Sequence, residues 1–205
     1  MQTIKRYSAL SALTLVFMFG MLMTFSSTVR AEVLRTIEEI AGLQFDVTSQ
    51  YPGTGEEIIA PSEYLSLEEA QSRFPSPIML PTYLPQGYEQ PAEVALSDLG
   101  NRPILTIIWN SKDKWTGNII LDIMHCPSGF ENCGRIVGEG SIEEIMLNEK
   151  PAVIVNGAWN YDTKQYDLSM TTAIQWKHDE NTIYMLSSWS RMPLEELIRM
   201  AASIP

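Results

Sequence analysis

Ile174-Gln175-Trp176-Lys177-His178-Asp179-Glu180-Asn181-Thr182-Ile183-Tyr184-Met185-Leu186-Ser187-Ser188 decides the fold. Ile174 and Trp176 alternate with Gln175 and Lys177, a period of two that turns one row of side chains to a core and the next to water. Asp179-Glu180-Asn181 is a turn signal, and the residues after it are again rich in β-branched and aromatic types. The stretch therefore reads as an antiparallel hairpin of strands 170–178 and 182–188.

The same pattern extends towards the N-terminus. Strands are expected at 93–97, 104–110, 117–125, 138–147 and 150–158. Polar turns at 98–101, 111–114 and 148–149 separate several of them. Consecutive strands with short links imply an antiparallel meander. Towards the C-terminus, Leu194, Leu197, Ile198 and Ala201 follow Pro193 at helical spacing, which predicts a helix with an apolar stripe to lay on a sheet. Upstream, Ser66 with Glu69 forms a capping box and Leu65 with Ala70 a hydrophobic staple, so a short helix starts at about Leu67. It stops before Pro75. Leu34, Ile37, Ile40 and Ala41, with a Thr36/Glu39 capping box, suggest another short helix over 34–41. From Phe74 to Pro91 five prolines exclude regular structure. Ile78, Met79, Leu80, Tyr83, Leu84 and Tyr88 make this segment a strap packed over the core. The expected fold is α+β: a curved, mainly antiparallel sheet of about six to seven strands, with a short N-terminal helix and a C-terminal helix packed on it.

Residues 1–31 differ from the rest. Lys5 and Arg6 precede an uncharged, largely apolar run from Tyr7 to Val29, and Val29-Arg30-Ala31 offers small residues at -3 and -1. This is the order of a secretory signal peptide. The run 7–29 is also close to the length of an uncleaved membrane anchor. Both readings export the remainder. The organisation expected is a leader at 1–31, an extension and linker at 32–65, and one α+β domain at 66–205. The whole chain of 205 residues carries 14 basic and 25 acidic groups, a formal charge of -11. Beyond residue 31 there are 11 basic and 25 acidic groups, a formal charge of -14. Such a surface argues against nucleic acid as a partner. It leaves the N-terminal segment, if uncleaved, as the only membrane contact.

Cys126 and Cys133 are the only cysteines, and they enclose the turn-rich Pro127-Ser128-Gly129-Phe130-Glu131-Asn132. In an exported chain the expected state is a disulfide. The other readings are a metal held by His125, Cys126 and Cys133, which lacks a fourth ligand nearby, and a reactive thiol. No cofactor motif occurs: there is no P-loop, G-x-G-x-x-G, H-E-x-x-H or G-x-S-x-G. A histidine-based triad would have to use His125 or His178. Paired glutamates such as Glu68/Glu69 and Glu195/Glu196 stand at helix starts, where the helix dipole favours them. Asp122 interrupts an apolar strand. It is either an inward acid with a raised pKa or, the expected case, an outward residue on one strand face. No catalytic residue is assigned. The aromatic residues Trp109, Trp159, Trp176 and Tyr184, with Met185, are the candidates for lining a ligand site.

The segment Pro81-Thr82-Tyr83-Leu84-Pro85-Gln86-Gly87-Tyr88 resembles a phrase that opens a bacterial extracytoplasmic domain family of unknown function. Val153-Ile154-Val155-Asn156-Gly157, Ile174-Gln175-Trp176 with Tyr184-Met185-Leu186, and Glu195-Glu196-Leu197-Ile198-Arg199-Met200-Ala201-Ala202-Ser203-Ile204 follow in the family's order. That family is similar to the outer domains of anti-sigma-factor-like proteins and, distantly, to lipoprotein-sorting carriers. The resemblance implies a curved antiparallel sheet and supplies no catalytic residues. The expectation is an exported, non-enzymatic binding or sensing module for a small apolar ligand, peptide, lipid or envelope protein. A structural subunit without a pocket and a hydrolase are the alternatives.

Overall fold

Alternation along the chain becomes a sheet with two unlike faces. The computed structural model describes residues 36–53, 63–89, 91, 93–98, 102–112, 117–189 and 192–205. The leader at 1–31, residues 54–62 of the expected linker, and Trp115 lie outside the described residues.

The main sheet has eight strands rather than six to seven. They are β3 (Glu63–Tyr64), β4 (Glu93–Asp98), β5 (Pro103–Trp109), β6 (Ile119–His125), β8 (Ile142–Leu147), β9 (Lys150–Asn160), β10 (Gln165–Lys177) and β11 (Thr182–Trp189). Their order is β3-β4-β5-β6-β11-β10-β9-β8, and every pairing is antiparallel. The eighth strand is β3, an edge of two residues and too short for a periodicity to show. The expected meander is broken once. After β6 the chain leaves the sheet, and β11 returns to pair with β6 from Thr182↔His125 to Ser188↔Ile119.

The detour builds a second sheet from β1 (Thr36–Ile40), β2 (Leu43–Val47) and β7 (Arg135–Val137). The helix expected over 34–41 is therefore overturned. Ala41 and Gly42 both have positive φ, 55° and 71°, the geometry of a two-residue hairpin turn. The turn reverses the chain into β2, whose Leu43, Phe45 and Val47 alternate inward. Ile37, counted for a helical stripe, is exposed. β2 then pairs in parallel with β7. Residues assigned to an extension thus contribute strands to both sheets. The strand expected at 138–147 begins only at Ile142, because 135–137 belongs to the other sheet.

One face of the main sheet carries the main core. Its central rung runs Ile154, Ile174, Leu186, Leu121, Ile107 and Val94 in register, and all six are buried. Each such large side chain contributes about 1.5–3 kcal/mol by leaving water. Helix α1 (Leu67–Arg73) has the expected capping box, Ser66 with Glu69. Helix α2 (Leu194–Ala202) buries Leu197, Met200 and Ala201 against the sheet. Between the helices runs the proline strap, as the sequence predicts. Ile78, Met79, Leu80, Tyr83 and Leu84 pack on the core. The Tyr184 hydroxyl accepts from the Met79 amide at 3.0 Å and donates to the Pro77 carbonyl at 3.3 Å. The amides of Thr82 and Tyr83 donate to Ser203. None of the helices described is long and apolar enough to cross a membrane.

The corner between the sheets is covalent. Cys126 follows β6, Cys133 closes the 3-10 turn Phe130–Cys133, and the two form a disulfide with Cα atoms 6.4 Å apart. Both cysteines are buried in the core between the sheets. Replacing both with Ala should lower the unfolding free energy by about 2–3 kcal/mol, the loop-closure value for so short a ring. Urea unfolding of the oxidised and double-variant proteins measures this. Equal midpoints would mean that packing alone holds the corner.

Candidate functional site

Among the described residues, the second face of the main sheet is only half closed. Over β9, β10 and β11 the small sheet covers it, and Leu43, Phe45, Val47, Val137, Val153, Val155 and Ile183 form one buried cluster. On β5 and β6 the same face carries Ile104, Thr106 and Ile108 beside Met124, Asp122 and Ile120, paired in that order. All six remain partly exposed. Ile104, Ile108 and Ile120, with Met185 of β11, belong to neither core cluster.

A charged group stands at the border of the covered half. Arg135 and Val137 lie on the same side of β7, two residues apart, and Val137 is fully buried among the inter-sheet residues. Arg135 thus occupies an inward position of a two-sheet sandwich. Its Nη1 donates to the Met185 sulfur at 3.3 Å, a weak acceptor for a guanidinium. Asp122 is the register partner of Met185 and attracts Arg135 without forming an ion pair. Its Oδ1 accepts from the Thr106 hydroxyl at 2.6 Å. Burial pushes the Asp122 carboxyl above the ordinary carboxylate range, against the Thr106 hydrogen bond and the Arg135 charge. Burial likewise lowers the Arg135 pKa, opposed by Tyr166, Asp122 and Tyr161. Next along the rung, between Val153 and Met185, Gln175 is 1% exposed and its Oε1 has no partner among the described residues. Asp122 thus joins the two sequence readings: it points away from the main core, and its pKa is raised.

The aromatic candidates separate. Trp109, Trp176 and Tyr184 lie on the packed face, at most 5% exposed. Met185 faces the other way, beneath Arg135. Trp159 stands on the far end of the β9–β10 hairpin. There its ring meets Tyr51 at 5.7 Å and Tyr166 at 5.1 Å, both edge-on. The Tyr166 ring lies against Gly138, where any Cβ would come within 2.4 Å of it, so the exit of β7 requires glycine.

The histidines are drawn into structure. His125 Nδ1 lies 3.0 Å from the Ser76 hydroxyl, which lies 2.9 Å from the Thr182 hydroxyl. Thr182 in turn bonds Asp179. Burial pushes the Asp179 carboxyl up, but the Asn181 amide and the Thr182 hydroxyl outweigh it and hold the pKa low. If Thr182 donates to that carboxylate, Ser76 must donate to Thr182, and His125 donates to Ser76. The serine proton is then spent on a buried threonine, and the relay pins the strap to β6 and β11. The His178 ring lies against Tyr184, with centroids 4.6 Å apart and planes tilted by 44°, and burial lowers its pKa. Among the described residues no three His, Cys, Asp or Glu side chains converge as metal ligands.

Arg135, Thr106 and Gln175 were not legible as a site in the sequence. The signal for Arg135 was a cation two residues before Val137 and two after Cys133, in a run of period two. No family model, curated protein or solved structure matches the chain.

The raised Asp122 pKa has a stability consequence. An acid whose folded pKa is raised stabilises the fold most below its unfolded pKa, and that contribution is lost as pH rises through the folded value. Asp122→Asn should therefore be more stable than the native chain at pH 8, with the difference shrinking towards pH 4. Denaturant midpoints across that range test this. A destabilised variant at pH 8 would mean that Asp122 is a net stabiliser as a carboxylate.

Proposed function

We propose that the protein is an exported, non-enzymatic module that binds an apolar ligand on the half-open face of its main sheet. One observation carries this reading: among the described residues, Ile104, Ile108, Ile120 and Met185 stay outside both core clusters while the central rung of the opposite face is buried. A sheet that needed only to be stable would bury this row or make it polar, as one-sided antiparallel sheets do. The disulfide suits an oxidising compartment, and the signal-like residues 1–31 suit export to it. The non-enzymatic part of the reading draws support from the Ser76–His125 contact, whose hydroxyl is buried and engaged by Thr182. The resemblance to extracytoplasmic outer domains belongs to the same proposal.

The test is a charge on the floor. Ile120 is partly exposed, so Ile120→Glu should cost less than the roughly 1.5–3 kcal/mol that a fully buried isoleucine contributes. The native protein should enhance the fluorescence of an apolar probe such as N-phenyl-1-naphthylamine, and the variant should lose most of that signal with its circular dichroism unchanged. Probe binding indifferent to Ile120→Glu would place the ligand elsewhere and sink the assignment of this face.

A further inference from the structure

The guanidinium at the border of the open face has a specific chemical meaning. Arg135 offers five N–H donors in a planar fork, and one of them reaches a thioether. Its carboxylate neighbour, Asp122, already accepts from Thr106 and lies beyond ion-pair contact. A cation in an apolar inter-sheet position with so weak an acceptor is costly unless something else completes it. The geometry that keeps it there is deliberate. The disulfide ends two residues before Arg135, and β7 is fixed on its other side by register with Phe45. The fork is thus held over the rung of Met185 and Asp122, between the apolar pairs Ile108/Ile120 and Ile104/Met124.

The floor selects the body of the ligand. On β5, β6 and β11 it presents Ile104, Ile108, Ile120, Met124 and Met185, with hydroxyls from Thr106 and Ser187, and its β4 margin adds Ala95, the Ser97 hydroxyl, which donates to the Ile104 carbonyl, and the exposed Glu93. A peptide laid on it would press backbone N–H and C=O groups against carbon and leave them unpaired. A hydrocarbon chain has no such groups. We infer that Arg135 receives the carboxylate of an unbranched alkanoic acid, whose chain lies along Ile104, Ile108 and Ile120. This rests on the proposed apolar-binding face and adds the head group to it. The groups around the bound carboxylate would be Arg135 from β7, Asp122 and the Thr106 hydroxyl from the main sheet, and Met185 from β11, with Glu93 of β4 across from Ile108 on the same face and Tyr166 and Tyr161 also interacting with the guanidinium. Asp122 would sit beside a second anion, so binding should be accompanied by proton uptake at Asp122 and should weaken as pH rises.

The experiment is calorimetric titration of the oxidised protein at pH 7 with sodium decanoate and with 1-decanol. Decanoate should bind about ten- to a hundredfold more tightly, the range for a charge-assisted fork on one head group. Arg135→Gln should bring the two ligands to equal affinity. Asp122→Asn should tighten decanoate wherever the native Asp122 is ionised and flatten the pH dependence of its binding. Equal affinity of both ligands for the native protein overturns the carboxylate assignment while leaving the apolar face standing. A preference that survives Arg135→Gln overturns the role of Arg135. Binding of neither ligand, with the apolar probe still bound and still sensitive to Ile120→Glu, overturns the alkanoic acid alone. Should Arg135→Gln fail to fold, the Asp122→Asn arm decides, because decanoate binding that keeps its native pH dependence there also overturns the proposal.

Discussion

The disulfide between Cys126 and Cys133 is the constraint from which the unusual half of the molecule follows. A chain leaving β6 would ordinarily turn straight back and extend the meander, because short antiparallel links are the low-entropy choice. Here a 3-10 turn and a covalent bond carry it across to a second sheet. The three residues of β7 make few contacts of their own, and a strand so short cannot hold its place by ladder bonds alone. The bond at Cys133 and the parallel register with β2 give it a fixed position. Strand β11 then takes the vacant place beside β6.

The two faces of the main sheet show two solutions to the same problem. On one face, helices, strap and strands exclude water, and even polar groups there are spent on structure. The Tyr184 hydroxyl ties down the strap, and Ser203 receives two strap amides. On the other face, coverage stops part-way across. The border is where Arg135, Asp122 and Gln175 stand, each less well satisfied than a buried polar group usually is. A fold stabilised by only a modest net free energy does not keep three such groups together without an opposing benefit. The proposed binding face rests on that contrast rather than on the aromatic residues.

Most of the strands and both helices were legible, since period-two alternation and capping residues are local signals. Each failure has a physical source. Leu34, Ile37 and Ile40 fit a helical stripe by spacing, but Ala41-Gly42 was the stronger message, because two residues at positive φ turn a strand and end a helix. The run 138–147 was read as one strand because Gly138 to Ser141 carries no proline, and nothing local says that 135–137 pairs with a segment 90 residues earlier. Strand order around β6 is likewise a long-range property. Of the candidate ligand residues, Met185 reaches the open face, Trp159 joins a peripheral ring cluster, and Trp109, Trp176 and Tyr184 fill the core. A single sequence gives a tryptophan's bulk but not the face it meets.

Asp122 shows why the face cannot be reduced to hydrophobicity. Were it simply a solvated strand residue, its carboxyl would need no partner and Arg135 would have no neighbour of opposite charge. Were it simply buried, the Thr106 hydroxyl would be its whole compensation, which is little for an ionised carboxyl. Its actual position, half covered and within reach of a cation it does not touch, leaves a gap between two charged groups. An ion pair at full contact would satisfy both and close the border to ligands. Held apart by the backbone of two different sheets, the pair stays incomplete, and an incomplete pair beside an apolar floor is suited to an amphiphile's head. The disulfide ends two residues before Arg135, so the bond that pins the corner also fixes the strand that carries the cation of the proposed site.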